Sequence, residues 1–210
     1  MEVRVLFGAA VAVAALVLVP TAPAAIAPLR WCGNDLAQVD RMHDRMGGEQ
    51  IHVIYALPAD GPNRFAELAS PIATDVATID SWWRREDPSR APRFDLFDFP
   101  GCESRFGKLD LSFVRLPDPT SVYLPDVDRF QRIATQLAST PFDFAAPDKK
   151  YLVYYDGVVA ESLLCGTGSG GPTTGGRFSY AIVYLRSGCD LTIGDGGGAA
   201  YVGAHELLHA

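Results

Sequence analysis

The sequence predicts an α+β fold, in which the strands of a β-sheet are interspersed with helices and a further helix ends the chain. Three observations predict it. Apolar runs bounded by Pro, Gly and Asp indicate strands, stretches with helical periodicity are interspersed among them, and neither internal repeats nor a dividing linker is present. The 210 residues are enough for one domain with a sizeable core.

The first half of the sheet is predicted from three apolar runs and one helical pattern. The run over 51–57 predicts a strand. A helix follows, for which Ser70 suits the N-cap and Pro71 the first helical position, where a missing N–H costs nothing. Strands are then predicted over 94–99 and 109–116, and the alternation in the second indicates one buried face.

The second half continues with a helix and further strands. Apolar residues at helical spacing predict a helix over 127–138. A nearly continuous apolar strand over 151–155 is followed by an Asp-Gly pair at 156–157, which is typical of a type I′ turn leading into 158–159. Another strong strand is predicted over 178–185, ahead of the last helix.

Two features have non-functional interpretations. The stretch 166–176 is rich in Gly, Ser and Thr, but it lacks the Gly-Lys-Ser/Thr ending of a phosphate-binding loop, so a flexible surface loop is expected. His43 and His52 lie far upstream of the last helix in the sequence. They are expected to be surface or capping histidines rather than metal ligands.

The end of the chain carries a zinc-hydrolase motif, His-Glu-x-x-His, formed by His205, Glu206 and His209. Residues on an α-helix advance by about 100°, so the two histidines share a face and can both bind Zn²⁺ at roughly 2.0–2.1 Å. Glu206 lies beside them, where it can act as the catalytic general base toward zinc-activated water. Apolar residues predict a buried back for this helix: Tyr201, Ala204, Leu207 and Leu208.

The segment 204–210 resembles the active-site helix of the zincin metalloproteases, and most closely that of the metzincin branch, whose motif continues with a Gly and a third His. The resemblance implies that residues 50–210 form an incomplete zincin-like catalytic domain, equivalent to the N-terminal subdomain of that family. This subdomain has a twisted mixed β-sheet with backing helices and the active-site helix at its C-terminal end. It implies a secreted zinc-dependent metalloendopeptidase with a peptide or protein substrate. An edge strand lines the cleft in that family and pairs with extended substrate, and 178–185 and 158–162 are the two candidates here.

The third zinc ligand is unknown from the sequence, because Ala210 alone follows the motif. Catalytic zinc sites typically have three protein ligands, so the 210-residue chain itself is expected to have little or no activity. The alternative function is a non-catalytic, disulfide-stabilised secreted binding protein with a zincin-like fold.

The start of the chain predicts export. Residues 1–24 form a secretory signal peptide, with Arg4 before an apolar run over 5–19 and a small-x-small cleavage pattern at 22–24. The run is shorter than the roughly 20 residues that a spanning helix needs, so no stable membrane association is expected after cleavage. Residues 25–49 form a polar lead-in. Abundant Ala, and more Arg than Lys, indicate a bacterial gene.

Four cysteines in an exported chain predict two disulfides. Of the three pairings, Cys32 with Cys102 and Cys165 with Cys189 is preferred. The segment around Cys32 faintly resembles the cysteine switch of metzincin propeptides, but the even number of cysteines favours a disulfide. The net charge of −7 argues against nucleic acid or an anionic membrane surface as a partner.

Overall fold

A computed structural model describes residues 30–33, 38–41, 49–89, 91–102, 107–125, 128–160, 163–169 and 179–210. The predicted signal peptide and His43 lie outside these described residues, as does most of the helix-like part of the lead-in. The elements in chain order are β1 (Gln50–Leu57), α1 (Phe65–Glu86), β2 (Leu96–Phe97), β3 (Lys108–Leu109), β4 (Leu111–Arg115), α2 (Thr120–Tyr123), α3 (Arg129–Leu137), β5 (Lys149–Val158), β6 (Gly166–Gly168), β7 (Ser179–Arg186) and α4 (Gly198–His209).

The fold class is α+β, as predicted. In the described part of the chain, five strands form one mixed sheet in the order β4-β1-β5-β7-β6, and β2 pairs with β3 in a separate ribbon. The first four strands of the sheet are parallel, and β6 is antiparallel to β7 at the edge. None of the described helices combines the length and the apolar composition that crossing a bilayer requires.

Both faces of the sheet are buried, which explains its continuous apolar strands. All eight residues of β1 are buried. On one face, residues such as Tyr55 and Leu152 pack with α1 and α4 in a single cluster. On the other face, residues such as Ile54 and Tyr155 pack with α2 and α3. The helix α4 is thereby held against β7, β6 and α1.

The predicted start of the first helix is wrong. The helix α1 begins at Phe65, and Pro71 lies inside it. The Asn63 side chain accepts a hydrogen bond from the Phe65 N–H at 2.9 Å, which satisfies one of the free donors of the first turn. The Ser70 hydroxyl instead accepts a hydrogen bond from the Trp31 N–H, also at 2.9 Å. Burial of Phe65 in the core therefore outweighs the hydrogen bond that Pro71 cannot make.

The predicted turn after 151–155 is also wrong, because β5 runs on to Val158. Asp156 is fully buried inside this strand. It accepts hydrogen bonds from the Tyr55 hydroxyl at 2.6 Å and from the Arg64 Nε at 2.9 Å. Such long-range partners satisfy the carboxylate within the sheet, and a sequence pattern does not reveal them. The edge strand beside β7 is β6, so the candidate 178–185 is not the edge. In the other candidate, 158–162, Val158 ends the inner strand β5, and residues 161–162 lie outside the described residues.

The predicted strands over 94–99 and 109–116 are shorter and less regular than expected. The first is reduced to β2, and the second is divided by Asp110 into β3 and β4. Asp110 and Ser112 are both fully buried, so β4 does not have one solvated polar face. Both side chains belong to a buried polar cluster that is described below. The helix over 127–138 is confirmed as α3, with ends moved by one or two residues.

Both predicted disulfides are confirmed. Cys32–Cys102 joins the N-terminal segment to the loop after β2. Cys165–Cys189 joins the residue before β6 to the loop that leads into α4. The second disulfide thus connects the edge strand β6 with the loop that precedes α4, the helix that carries the His-Glu-x-x-His motif.

Candidate metal centre

The loop before α4 fixes where the motif helix begins. Gly194 and Gly196 have φ values of 83° and 76°, which favour glycine. A β-carbon at Gly194 would lie 2.7 Å from the Pro71 Cα, so the loop packs closely on α1. The Gly194 N–H also donates to the Asp75 carboxylate at 2.7 Å. The packing of Gly194 on Pro71 and its hydrogen bond to Asp75 therefore hold the loop before α4 against α1.

His205 and His209 converge at the far end of α4. Both side chains are exposed, and their Nε2 atoms are 3.2 Å apart. Two ligands placed at about 2.0–2.1 Å from a tetrahedral zinc ion are separated by about 3.3–3.4 Å. The imidazole pair therefore fits the spacing that a zinc ion requires, and the helix brings these two predicted ligands together.

Glu206 lies next to the two histidines on α4, where β6 covers it. Its side chain is buried, with 9% exposed. Burial raises the pKa of the Glu206 carboxyl, while the neighbouring His205 and His209 and the Gly168 N–H oppose this shift. The motif residues thus form an exposed imidazole pair next to a desolvated carboxyl group, a combination found at catalytic sites.

The predicted apolar back of α4 is only partly buried, which corrects the sequence-based assignment. Tyr201 is 75% exposed and Leu208 is 59% exposed, and both line an apolar cavity of about 160 Å³ beside His205. The face that packs on the sheet and α1 consists mainly of small residues. A β-carbon at Gly203 would lie 3.2 Å from Ile79 Cδ1. The close approach of α4 to α1 favours small residues there and leaves the larger Tyr201 and Leu208 outside.

A second group of metal-type side chains, which includes none of the motif residues, lies near the start of β1. Ligand atoms of Asp40, His52, Asp95 and Asp110 all lie within 4.8 Å of one another. The prediction that His52 is a surface or capping residue is therefore wrong, since its side chain is fully buried. Its position on β1, between β4 and β5, places it inside the sheet.

Hydrogen bonds to His52 occupy both of its ring nitrogens. The His52 Nε2 lies 3.0 Å from the Ser112 hydroxyl, which itself donates to the Val39 carbonyl at 3.0 Å. The His52 Nδ1 faces carboxylate oxygens of Asp95 at 2.9 Å and of Asp40 at 3.4 Å. Both nitrogens therefore have protein partners, whereas a metal ligand needs a free lone pair.

Two permanent cations complete this buried cluster. The Lys149 Nζ lies 2.6 Å from Asp40 Oδ2 and 2.8 Å from Asp95 Oδ2, and the Arg41 guanidinium pairs with Asp110. Burial alone would lower the pKa of Lys149, but its hydrogen bonds to both carboxylates hold it above the ordinary value. We therefore interpret the cluster as a buried ion-pair network that joins residues 38–41 to the sheet.

Because the Asp75 carboxyl group is buried, we predict that the free energy of unfolding falls as the pH rises. Burial raises its pKa to about 7, although the Gly194 N–H opposes this shift. The folded-state pKa exceeds the unfolded value, so stability from this group is complete below pH 4 and is lost as the pH rises toward 7. At about 1.4 kcal/mol per pKa unit, the rise from 3.8 to about 7 corresponds to a loss on the order of 4 kcal/mol above pH 7.

Asp75→Asn removes this titration and keeps an oxygen that can accept the Gly194 N–H. We expect the variant to match the unmodified protein in free energy of unfolding near pH 4 and to exceed it increasingly up to pH 8. Urea unfolding of both proteins at several pH values measures the difference. Parallel pH profiles would contradict the assignment.

The described residues provide no third ligand for the motif histidines. Within those ranges, the single group of three or more metal-type side chains is the Asp40 cluster. The sequence interpretation also missed Asp75, although its position three residues after Ile72 and four before Ile79 places it on the apolar stripe of α1. No sequence pattern indicated that residues 166–168 form an edge strand, because Gly-rich sequence favours loops.

Comparison of the chain with protein-family models, curated proteins and solved structures finds no match.

Proposed function

We propose that this chain carries the metal-binding helix of a secreted, zincin-like zinc metalloendopeptidase. One observation carries the proposal: the Nε2 atoms of His205 and His209 converge to 3.2 Å on the same helix as the buried Glu206 carboxyl group. In this assignment the histidines hold zinc and Glu206 is the general base. The mixed sheet with an antiparallel edge strand beside this helix supports the resemblance to the zincins.

Zinc bound by these imidazoles would supply a Lewis acid that polarises the scissile carbonyl and makes water acidic near neutral pH. Glu206 accepts the proton of the attacking water and later delivers it to the leaving amine. Its raised pKa suits both roles, because a carboxyl group that titrates nearer to neutral pH exchanges protons more readily under working conditions.

Among the described residues no strand pairs with the outer edge of β6, and this edge favours an extended peptide as the substrate. Backbone groups of Cys165 and Ser169 pair with β7, through Tyr184 N–H to Cys165 C=O and Ser169 N–H to Tyr180 C=O, both at 2.9 Å. Because strand hydrogen bonding alternates, the backbone polar groups of Gly166 and Gly168 point away from β7. A peptide that adds to this edge passes beside the motif helix.

Two protein ligands fall short of the three that catalytic zinc sites typically have. The proposal assigns no third ligand, because the described residues supply none beside the two histidines. This shortage of ligands also motivates the second candidate function, a non-catalytic binding protein on the same scaffold. The two disulfides are typical of exported proteins and are compatible with either function.

Peptide hydrolysis by the complete product of the gene tests the proposal. We expect the zinc-supplied protein to cleave members of a mixed peptide library, as followed by mass spectrometry. Cleavage should disappear with a chelator and return with added zinc. A zinc-loaded protein that binds peptides and leaves all of them intact would favour the binding protein. Cleavage that continues unchanged in the metal-free protein would contradict the zinc assignment.

A further inference from the structure

We propose that Gly166 and Gly168 are positioning residues for Glu206, and that the absence of side chains on this face of β6 sets the place of the carboxyl group. This inference rests on the proposed function for its catalytic consequence. Its structural part depends only on contacts between β6 and α4. From the sequence alone, the Gly-Thr-Gly segment of β6 was expected to be part of a surface loop. In the structure it forms a strand, and the inference gives that strand a role.

Close approach between the edge strand and the motif helix is the first observation. A β-carbon at Gly166 would lie 2.7 Å from the Glu206 Cγ, 2.9 Å from its Oε1 and 2.6 Å from Val202 Cγ1. One at Gly168 would lie 2.6 Å from the His209 Cβ and 2.7 Å from the Glu206 backbone oxygen. Both glycines therefore face α4, and neither position has space for a side chain.

Proximity of the Glu206 carboxylate to the Gly168 backbone is the second observation. A β-carbon at Gly168 would lie 3.3 Å from the Glu206 Oε2, while Gly166 lies against the Glu206 Cγ. The edge strand thus holds Glu206 on the side of α4 next to His205 and His209.

The two positions differ in what a methyl group would displace. At Gly168 it would meet backbone and Cβ atoms of α4, which cannot move without separating the strand from the helix. At Gly166 it would meet side-chain atoms of Glu206 and Val202, which can rotate. Gly166→Ala is therefore the better variant, because it should move the carboxyl group and leave the backbone largely in place.

Amide hydrogen exchange in the 210-residue chain tests the positioning without any need for activity. We expect the Gly168 amide to be protected in the unmodified protein and to lose protection in Glu206→Ala and in Gly166→Ala. Thr167→Ala is the matched control, because residue 167 faces the opposite side of β6 and its variant should keep the protection. A Gly168 amide that exchanges equally fast in the unmodified protein and in Glu206→Ala would overturn the inference.

Kinetics of the complete, zinc-loaded gene product test the catalytic consequence. We expect Gly166→Ala to lower kcat by about 10²-fold, as displacement of a catalytic group by about 1 Å can do, with KM and zinc content little changed. Thr167→Ala should retain kcat. Full kcat in Gly166→Ala would overturn the inference. A protein that cleaves no peptide would contradict the proposed function, while the amide exchange would still decide the positioning.

Discussion

Replacement of Glu206 by Gln is expected to lower the kcat of the zinc-loaded protein by about 10²- to 10⁴-fold, the range for loss of a general acid–base group. Gln has the same length and shape as Glu and keeps an oxygen that can accept hydrogen bonds. It cannot take the proton of the attacking water. Because the buried carboxyl group lies beside the imidazole pair and is not needed as a ligand, zinc content should stay unchanged.

Steady-state peptide hydrolysis and elemental analysis of zinc, on the same preparations of the complete gene product, measure this prediction. Glu67→Gln is the matched control, since Glu67 is an exposed residue of α1 and its variant should keep full activity. Undiminished hydrolysis by Glu206→Gln would contradict the general-base assignment. Loss of zinc together with activity would show that Glu206 supports metal binding instead.

Lys149→Met is expected to lower the free energy of unfolding by about 3–5 kcal/mol, the typical cost of removing one partner from a buried ion pair. The Lys149 side chain is nearly buried and its Nζ contacts both Asp40 and Asp95. Met fills a similar volume but leaves the two carboxylates without this cation. The substitution should also weaken the attachment of residues 38–41 to the sheet.

Chemical denaturation of the 210-residue chain measures the loss. Lys150→Met is the matched control: this neighbouring lysine is half-buried and donates to the main-chain oxygen of Ala210 rather than to two buried aspartates. We expect it to cost about 1 kcal/mol, as for an ordinary hydrogen bond. Equal effects of the two substitutions would contradict the ion-pair network, and so would a Lys149→Met protein as stable as the unmodified one.

Elements with strong local patterns could be predicted from the sequence, whereas long-range partners could not. The apolar run at 51–57 and the helical spacing at 127–138 each correspond to an observed element. By contrast, Asp156 continues β5 because Tyr55 and Arg64 satisfy its carboxylate from distant positions in the chain. Its Asp-Gly sequence favours a turn, and only tertiary contacts override that preference.

The candidate site, too, could be predicted where it depends on local helix geometry and not where it depends on distant residues. The spacing of the motif histidines follows from helix geometry, so their convergence could be predicted. The burial of His52 could not, because it depends on carboxylates from β-strand neighbours and on residues 38–41. Recognition of β6 as an edge strand required its pairing with β7, which a short Gly-rich sequence does not indicate.

Zinc K-edge X-ray absorption of the 210-residue chain, loaded with one equivalent of zinc, tests the metal assignment most directly. The unmodified protein is compared with His205→Ala and with His209→Ala. We predict imidazole nitrogens at roughly 2.0–2.1 Å from zinc and the loss of one imidazole in each variant. Identical spectra for all three proteins would contradict the assignment, because the ion would then be bound elsewhere in the chain.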